Sequence, residues 1–410
     1  MAASSLFLGL IFWFSFSFAE RPETPITVTL PLIKDRATLQ YVVHLHHAGL
    51  VVDLGGRFPW LDCSSIHASS SQRLITSGSL SCSMTNPNSC LHGRSTFSNS
   101  KFHPCFLKTV NSITGLASCA PLAEDILTVN PLDSSDSVIV VDHFMFSCAP
   151  PLLLKGLAGG TKGILGLGVD KLSLPSQFAV ALGVHRRFAI CLSSTQGYLV
   201  FSGDHIPSSS IIGSQLWNSL TYTPLISSTD GYYINVKSIK INGKTVSLNT
   251  SLLSLDKNGT GGTKLSTVAP YTTMETSIYN AFVKEFVETS NSMKMKRVAA
   301  VAPFGVCFES EGRHGQVPTV DLVLQSEMVK WRIGGRNSMV EVGDGVMCLG
   351  FLDGGNWLIN SKTKEPSIVI GGHQLEDNLL DFDMGNSMLG FTSSLLSKGT
   401  SCSYSPLLPL

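Results

Sequence analysis

The chain has 410 residues, enough for two lobes with separate cores and too many for one small domain. Its 29 basic side chains balance 29 acidic ones, and charged residues make up only 14% of the sequence, which excludes a nucleic-acid footprint or a polybasic membrane patch built from overall charge. Any recognition by charge has to be local.

The chain begins MAASSLFLGLIFWFSFSFAE, an uncharged apolar run from Leu6 to Phe18 with small residues at Ser17 and Ala19. This pattern predicts a signal peptide over residues 1–19, cleaved after Ala19, and therefore a secreted protein. The run falls short of the roughly 20 apolar residues that cross a bilayer, and no later segment is longer, so no membrane association is expected after cleavage. His44, His46 and His47 form a local cluster, but no acidic or Cys partner stands at ligand spacing and the segment reads as a polar strand-to-turn piece. Ten cysteines follow (Cys63, Cys82, Cys90, Cys105, Cys119, Cys148, Cys191, Cys307, Cys348 and Cys402), widely and irregularly spaced with no tight C-x-x-C pair. They suit disulfides in an oxidising compartment and argue against zinc; neither a metal nor a cofactor is expected.

Most of the chain consists of short β-branched or aromatic runs cut by Gly, Pro, Ser and Asn: Ser137 to Val141, Phe188 to Leu192, Tyr198 to Ser202, Tyr232 to Ile241, Ser367 to Ile370 and Met388 to Thr392. Such runs predict an all-β fold. Helices are expected over Leu174 to Leu182 and over Met274 to Glu288, where Ile278, Phe282, Val283 and Phe286 form an apolar stripe. The sequons Asn249-Thr250-Ser251 and Asn258-Gly259-Thr260 suit glycosylated surface loops.

One pattern occurs twice. Leu50-Val51-Val52-Asp53-Leu54-Gly55-Gly56 is followed much later by Gly163-Ile164-Leu165-Gly166-Leu167-Gly168, and Thr263-Lys264-Leu265-Ser266-Thr267-Val268 is followed at a similar interval by Ile368-Val369-Ile370-Gly371-Gly372. Each half thus sends an apolar strand into a tight loop with a small polar or acidic tip and later supplies an apolar-apolar-Gly strand. Two related lobes are expected, over 20–205 and 206–410.

This arrangement resembles the pepsin-like aspartic proteases, whose two lobes each bring an Asp-Thr-Gly loop to a central cleft. Longer strings resemble a narrower plant group that contains extracellular dermal glycoprotein, the basic globulins of legume seeds, and inhibitors of microbial xylanases and endoglucanases. They read here Val52-Asp53-Leu54-Gly55-Gly56, Ser147-Cys148-Ala149-Pro150, Leu174-Pro175-Ser176-Gln177-Phe178, Val236 to Lys244, Arg297 to Phe308 and Ile368 to Leu380. The resemblance covers nearly all of the mature chain and implies a bilobal pepsin-like double β-barrel with few short helices.

Set against that resemblance, the chemistry is incomplete. An aspartic protease uses two carboxylates about 3 Å apart that share a proton, one activating water and the other polarising the peptide carbonyl. Asp53 matches the first, but Ser266 stands at the second, and a hydroxyl does not ionise near neutral pH. Leu54 replaces the Thr whose hydroxyl braces the paired loops, and no Tyr occurs between Cys105 and Asp125, where the family's flap belongs. Asp53 and Ser266 are therefore expected to be vestigial, with no catalytic residue remaining. Ser266 has no His near it in sequence and no nucleophile-elbow motif, so it reads as a loop-capping Ser.

The resemblance to inhibitors implies that loops of the second lobe bind microbial secreted glycoside hydrolases, in the plant apoplast or cell wall. Glycosidase clefts hold a carboxylate pair, which an inserted basic side chain can engage. The matching positions hold Arg313, in the loop after Gly305-Val306-Cys307-Phe308, and Lys398, just before Cys402. The resemblance also pairs Cys307 with Cys348 and Cys191 with Cys402. It leaves the first lobe in question: the segment from Tyr41 to Asp53 is short, a family Cys is replaced near Ser77, another is missing between Cys90 and Cys105, and Cys119 is unusually placed. A secreted binding or storage globulin is the alternative function, and an active aspartic endopeptidase is the third.

Overall fold

In the computed structural model the chain is described over residues 27–45, 48–64, 69–85, 90, 103–130, 138–202, 214–310, 317–356 and 365–403. The proposed signal peptide, His46, His47 and Arg313 lie outside the described residues. Nineteen strands join one large sheet, and two four-stranded sheets belong to the second half of the chain. Among the described residues no helix is long and apolar enough to cross a membrane.

The repeat seen in the sequence becomes two copies of one strand arrangement. Ala48–Asp53 pairs in parallel with Gly163–Gly166, placing Asp53 beside Gly166, and Thr263–Leu265 pairs in parallel with Ile368–Ile370. In each copy a third strand crosses antiparallel to the glycine-bearing one: Trp60–Leu61 against Gly163–Ile164, and Thr272–Met274 against Ile368 and Val369. The crossing explains the glycines. A Cβ at Gly166, beside Asp53, would stand 2.6 Å from the Gly56 carbonyl oxygen and 2.7 Å from the Phe58 carbonyl oxygen, and one at the matching Gly371 would stand 2.3 Å from the Tyr271 carbonyl carbon.

The two halves are joined along a continuous β seam. Arg187–Cys191 pairs antiparallel with Leu379–Asp383, so the chain's first half hydrogen-bonds directly to its second. Phe188 stacks on Phe382 with ring centroids 4.7 Å apart, and Arg187 makes two bonds to the buried Asp381 carboxylate, at 2.8 and 2.6 Å. Lys34 and Tyr41 reach across to Glu376 at 2.5 and 2.8 Å, and the Cys191–Cys402 disulfide ties the same seam. Largely buried, charge-assisted contacts of this kind set the relative position of the two lobes.

Several sequence expectations change in detail. The run Tyr232 to Ile241 divides into two strands, Gly231–Ile234 in the large sheet and Ser238–Ile241 in a four-stranded sheet, because Ile239 and Ile241 pair with Leu322 and Val320 of that second sheet. The long helix covers Thr276–Ser292, later than the apolar stripe suggested: Met274 belongs to a strand, and the Glu275 carboxylate caps the helix by accepting from the Ser277 and Ile278 amides. Leu174–Leu182 is helical over its expected length and ends at Gly183 in the left-handed region. The first-half cysteines, despite their departures from the family pattern, are all paired: Cys63–Cys148, Cys82–Cys105 and Cys90–Cys119. Cys307–Cys348 completes five disulfides with no free thiol. The shortened Tyr41–Asp53 segment still forms a hairpin, paired out to Leu45 and Ala48.

Candidate functional site

The two loop tips meet at a cleft of about 680 Å³ lined by Asp53, Trp60, Ser112, Asp230, Lys264 and Ser266, among others. Strand pairing delivers both tips: Asp53 ends the strand that begins at Ala48, and the Ser266 amide donates to Ile370 O at 3.0 Å. The tips are laced together by Thr267. Its hydroxyl donates to Val52 O at 2.7 Å and accepts from the Leu54 amide at 3.2 Å, both buried. The reciprocal pair of bonds is missing because Leu54 has no hydroxyl and points into the core instead.

Asp53 is buried, and burial pushes its pKa above the ordinary carboxylate value; the Ser112 hydroxyl, the Gly55 amide and the nearby Lys264 ammonium pull the other way. Gly55 N donates to Oδ1 at 2.8 Å, and Ser112 Oγ donates to Oδ2 at 2.5 Å. Lys264 itself is held 3.0 Å from Asp230, which also accepts from Tyr233 OH at 2.7 Å. Burial opposes ionisation of Asp230, yet Lys264 and Tyr233 keep its pKa below the usual value. The Ser266 hydroxyl accepts from the Ala269 amide at 3.1 Å, closing its own loop.

Ser112 is the residue that sequence reasoning missed. It sits at the tip of a hairpin formed by Phe106–Val110 and Ala117–Val129, the segment expected to carry the flap. The turn Asn111-Ser112-Ile113-Thr114-Gly115 was a legible turn signal, but its 59-residue separation from Asp53 carried no hint of contact. The Trp60 indole N–H beside the cleft is buried with no hydrogen-bond partner among the described residues. No group of three His, Cys, Asp or Glu side chains among the described residues could hold a metal.

Lys398 lies elsewhere. It is exposed at the end of a short 3₁₀ turn, Leu395–Lys398, and its ammonium donates to Ser219 Oγ at 3.2 Å. Leu396, two residues earlier, lines a second pocket of about 530 Å³ together with Arg336, His373, Glu376 and Asp377. Val317, where the described chain resumes after the segment containing Arg313, lines the same pocket. Asn249 and Asn258 are both exposed; Asn249 caps a 3₁₀ turn by accepting from the Ser251 amide and hydroxyl at 3.1 and 2.8 Å.

Residues 39–204 match the family described as xylanase inhibitor, N-terminal, and residues 231–393 match xylanase inhibitor, C-terminal. The chain is 42% identical to the probable aspartic proteinase GIP2 of Nicotiana benthamiana over 94% of this chain and 92% of that protein. It is similar to the crystal structure of edgp, with a TM-score of 0.82 at 41% identity over 93% of this chain and 98% of that one. It also resembles the basic 7S globulin from soybean, with a TM-score of 0.77 at 32% identity over 92% and 99% of the two chains. With a two-lobe, mostly β, pepsin-like fold and both halves matched, this chain belongs to the xylanase-inhibitor family of pepsin-like proteins.

Proposed function

We propose that this protein is secreted, has no peptidase activity, and inhibits microbial cell-wall-degrading glycoside hydrolases of the endoglucanase or xylanase type in plant defence. The observation that carries the reading is the pairing of both xylanase-inhibitor family halves with a cleft that presents Asp53 opposite a serine whose hydroxyl is turned into its own loop. Among the described residues Asp53 has no hydrogen bond to a second carboxylate, so it lacks the proton-sharing pair that peptide hydrolysis needs. Binding is assigned to the second lobe, with Arg313 and Lys398 entering the hydrolase cleft. Lys398 is exposed and held by one hydroxyl contact, so it is free to be recruited at little cost. Residues 1–19 form the removed signal peptide, the lobes divide near 205 and 206, and Asn249 and Asn258 carry glycans.

The test is titration of the purified protein against a panel of secreted microbial endoglucanases and xylanases. Inhibition of at least one is expected, weakened by about 10-fold in Lys398→Ala and by more in Arg313→Ala, whose planar donor fork suits a carboxylate pair better. Lack of inhibition across the panel would refute the assignment. The similarity to soybean basic 7S globulin favours a second reading, a binding or storage globulin, which gains if a partner is bound with both variants unaffected. The name of the Nicotiana benthamiana relative makes peptidase activity the third; cleavage of an unfolded substrate at acid pH, blocked by a transition-state peptide mimic, would establish it.

A further inference from the structure

The hairpin that overhangs Asp53 is attached by four contacts. Asn111, with none of its surface exposed, donates from Nδ2 to Leu153 O at 2.7 Å and to Lys155 O at 2.9 Å, while its Oδ1 accepts from the Ile113 and Thr114 amides at 2.8 and 3.1 Å. One amide side chain therefore shapes the turn and bolts it to the 3₁₀ segment Pro151–Leu154. Ile113 and Leu116 pack against the cluster around Trp60, Val51, Leu153 and Ile164, which Val268 from the second half also joins. Thr114 lies against Gly156, where a Cβ would stand 3.1 Å from its methyl and where φ is +80°. Finally, the Ser112 hydroxyl is bonded to Asp53 Oδ2.

We propose that this hairpin is a fixed strut and not an opening lid, and that Ser112 seals Asp53 against any ligand entering the cleft, independently of the change at position 266. A lid would have to break both bonds of a fully buried amide and expose the Ile113 and Leu116 contacts each time it opened, leaving buried polar groups unpaired. With Gly55 on one oxygen and Ser112 on the other, each carboxylate oxygen has one of its two acceptor sites occupied, and the Ser112 hydroxyl holds the one that faces the hairpin. The seal does not involve Arg313 or Lys398, so it stands or falls apart from hydrolase inhibition.

Amide hydrogen exchange on the full secreted chain tests it. In the wild type the Ile113 and Thr114 amides should be protected by at least about 100-fold over an unstructured peptide, the range of a locally stable unit. Asn111→Ala, which removes the acceptor of both amides and the two bonds to Leu153 and Lys155, should exchange there at least about 10-fold faster, with the amides of Thr27–Lys34 unchanged, while Ser112→Ala retains protection. Carbodiimide-driven amidation of Asp53, located by peptide mapping, should accelerate similarly in Ser112→Ala. A wild-type turn that exchanges at the unstructured rate overturns the proposal whether or not the variant folds. A folded Ser112→Ala protein amidated at Asp53 no faster than the wild type, or a folded Asn111→Ala protein that exchanges at the wild-type rate, overturns it as well.

Discussion

The two loop tips make an instructive pair, because their scaffolds are alike and their chemistries are not. Around Asp53 and around Ser266 the same three strands meet in the same senses, two in parallel and a third crossing antiparallel, with glycine where the crossing leaves no room for a Cβ. At the first tip a buried acid is satisfied by an amide, a hydroxyl and a nearby ammonium, and a hairpin is seated above it. At the second an uncharged hydroxyl serves the loop it belongs to. Backbone packing demands the strands and the glycines whatever the tips do. The tips are bound by no such demand, so their chemistry can differ while the architecture stays.

The largest test of that separation is on the scaffold. Gly166→Ala and Gly371→Ala each force a methyl into backbone, so each should cost about 3 kcal/mol or more and abolish cooperative folding or nearly so, read by denaturant unfolding. Unequal costs would break the claim that the two copies are mechanically equivalent. Next comes the lacing. Thr267→Val removes the hydroxyl that serves Val52 O and the Leu54 amide, leaving two buried groups unpaired, and should lose about 1–3 kcal/mol by the same measurement.

A smaller effect, with a pH signature, belongs to Asp53. Its folded pKa is raised by burial, so its contribution to stability is greatest below the unfolded value of about 3.9 and is lost as pH rises through the folded pKa. Asp53→Asn removes the titration; its thermal midpoint should exceed the wild type at neutral pH, and the gap should shrink as the pH falls into the acid range. A gap that grows on acidification would show that Ser112, Gly55 and Lys264 outweigh burial. The smallest effect is expected at the other tip: Ser266→Ala loses one bond at the cleft edge, worth about 0.5–1 kcal/mol, with no pH dependence of its own. A large loss there would give the second tip a structural burden comparable to the first.

Much of the scaffold was legible because it rests on local pattern. Apolar strands with a polar tip, and apolar-apolar-Gly partners at matching intervals, are required by the close backbone approach at Gly166 and Gly371, and the helix at Leu174–Leu182 follows from its apolar residues and Gly183. The two tip residues, Asp53 and Ser266, could be named from their places in that pattern, and both line the cleft. Elsewhere local pattern misled. Tyr232 to Ile241 looks like one strand since nothing in its composition records that Ile234 and Ile239 serve different sheets. Met274 fits the helical stripe yet joins a strand, because Glu275 caps the helix immediately after it. The closing of Cys90 with Cys119 was equally hidden, since spacing does not encode which distant thiols the folded chain brings together.

The sequence by itself determined that this chain builds two β lobes on one repeated strand plan, carries Asp53 without a matching acid at Ser266, and has enough cysteine to staple them. Those properties follow from residue identity and short-range periodicity. Only the tertiary structure decided that Arg187 and Asp381 lock the lobes along a shared sheet, that Thr267 laces the tips one way and not both, and that Asn111 and Ser112 hold a hairpin against Asp53. Each of these is a contact between side chain and distant partner, fixed by packing after the strands have met, and no local pattern of residues specifies it.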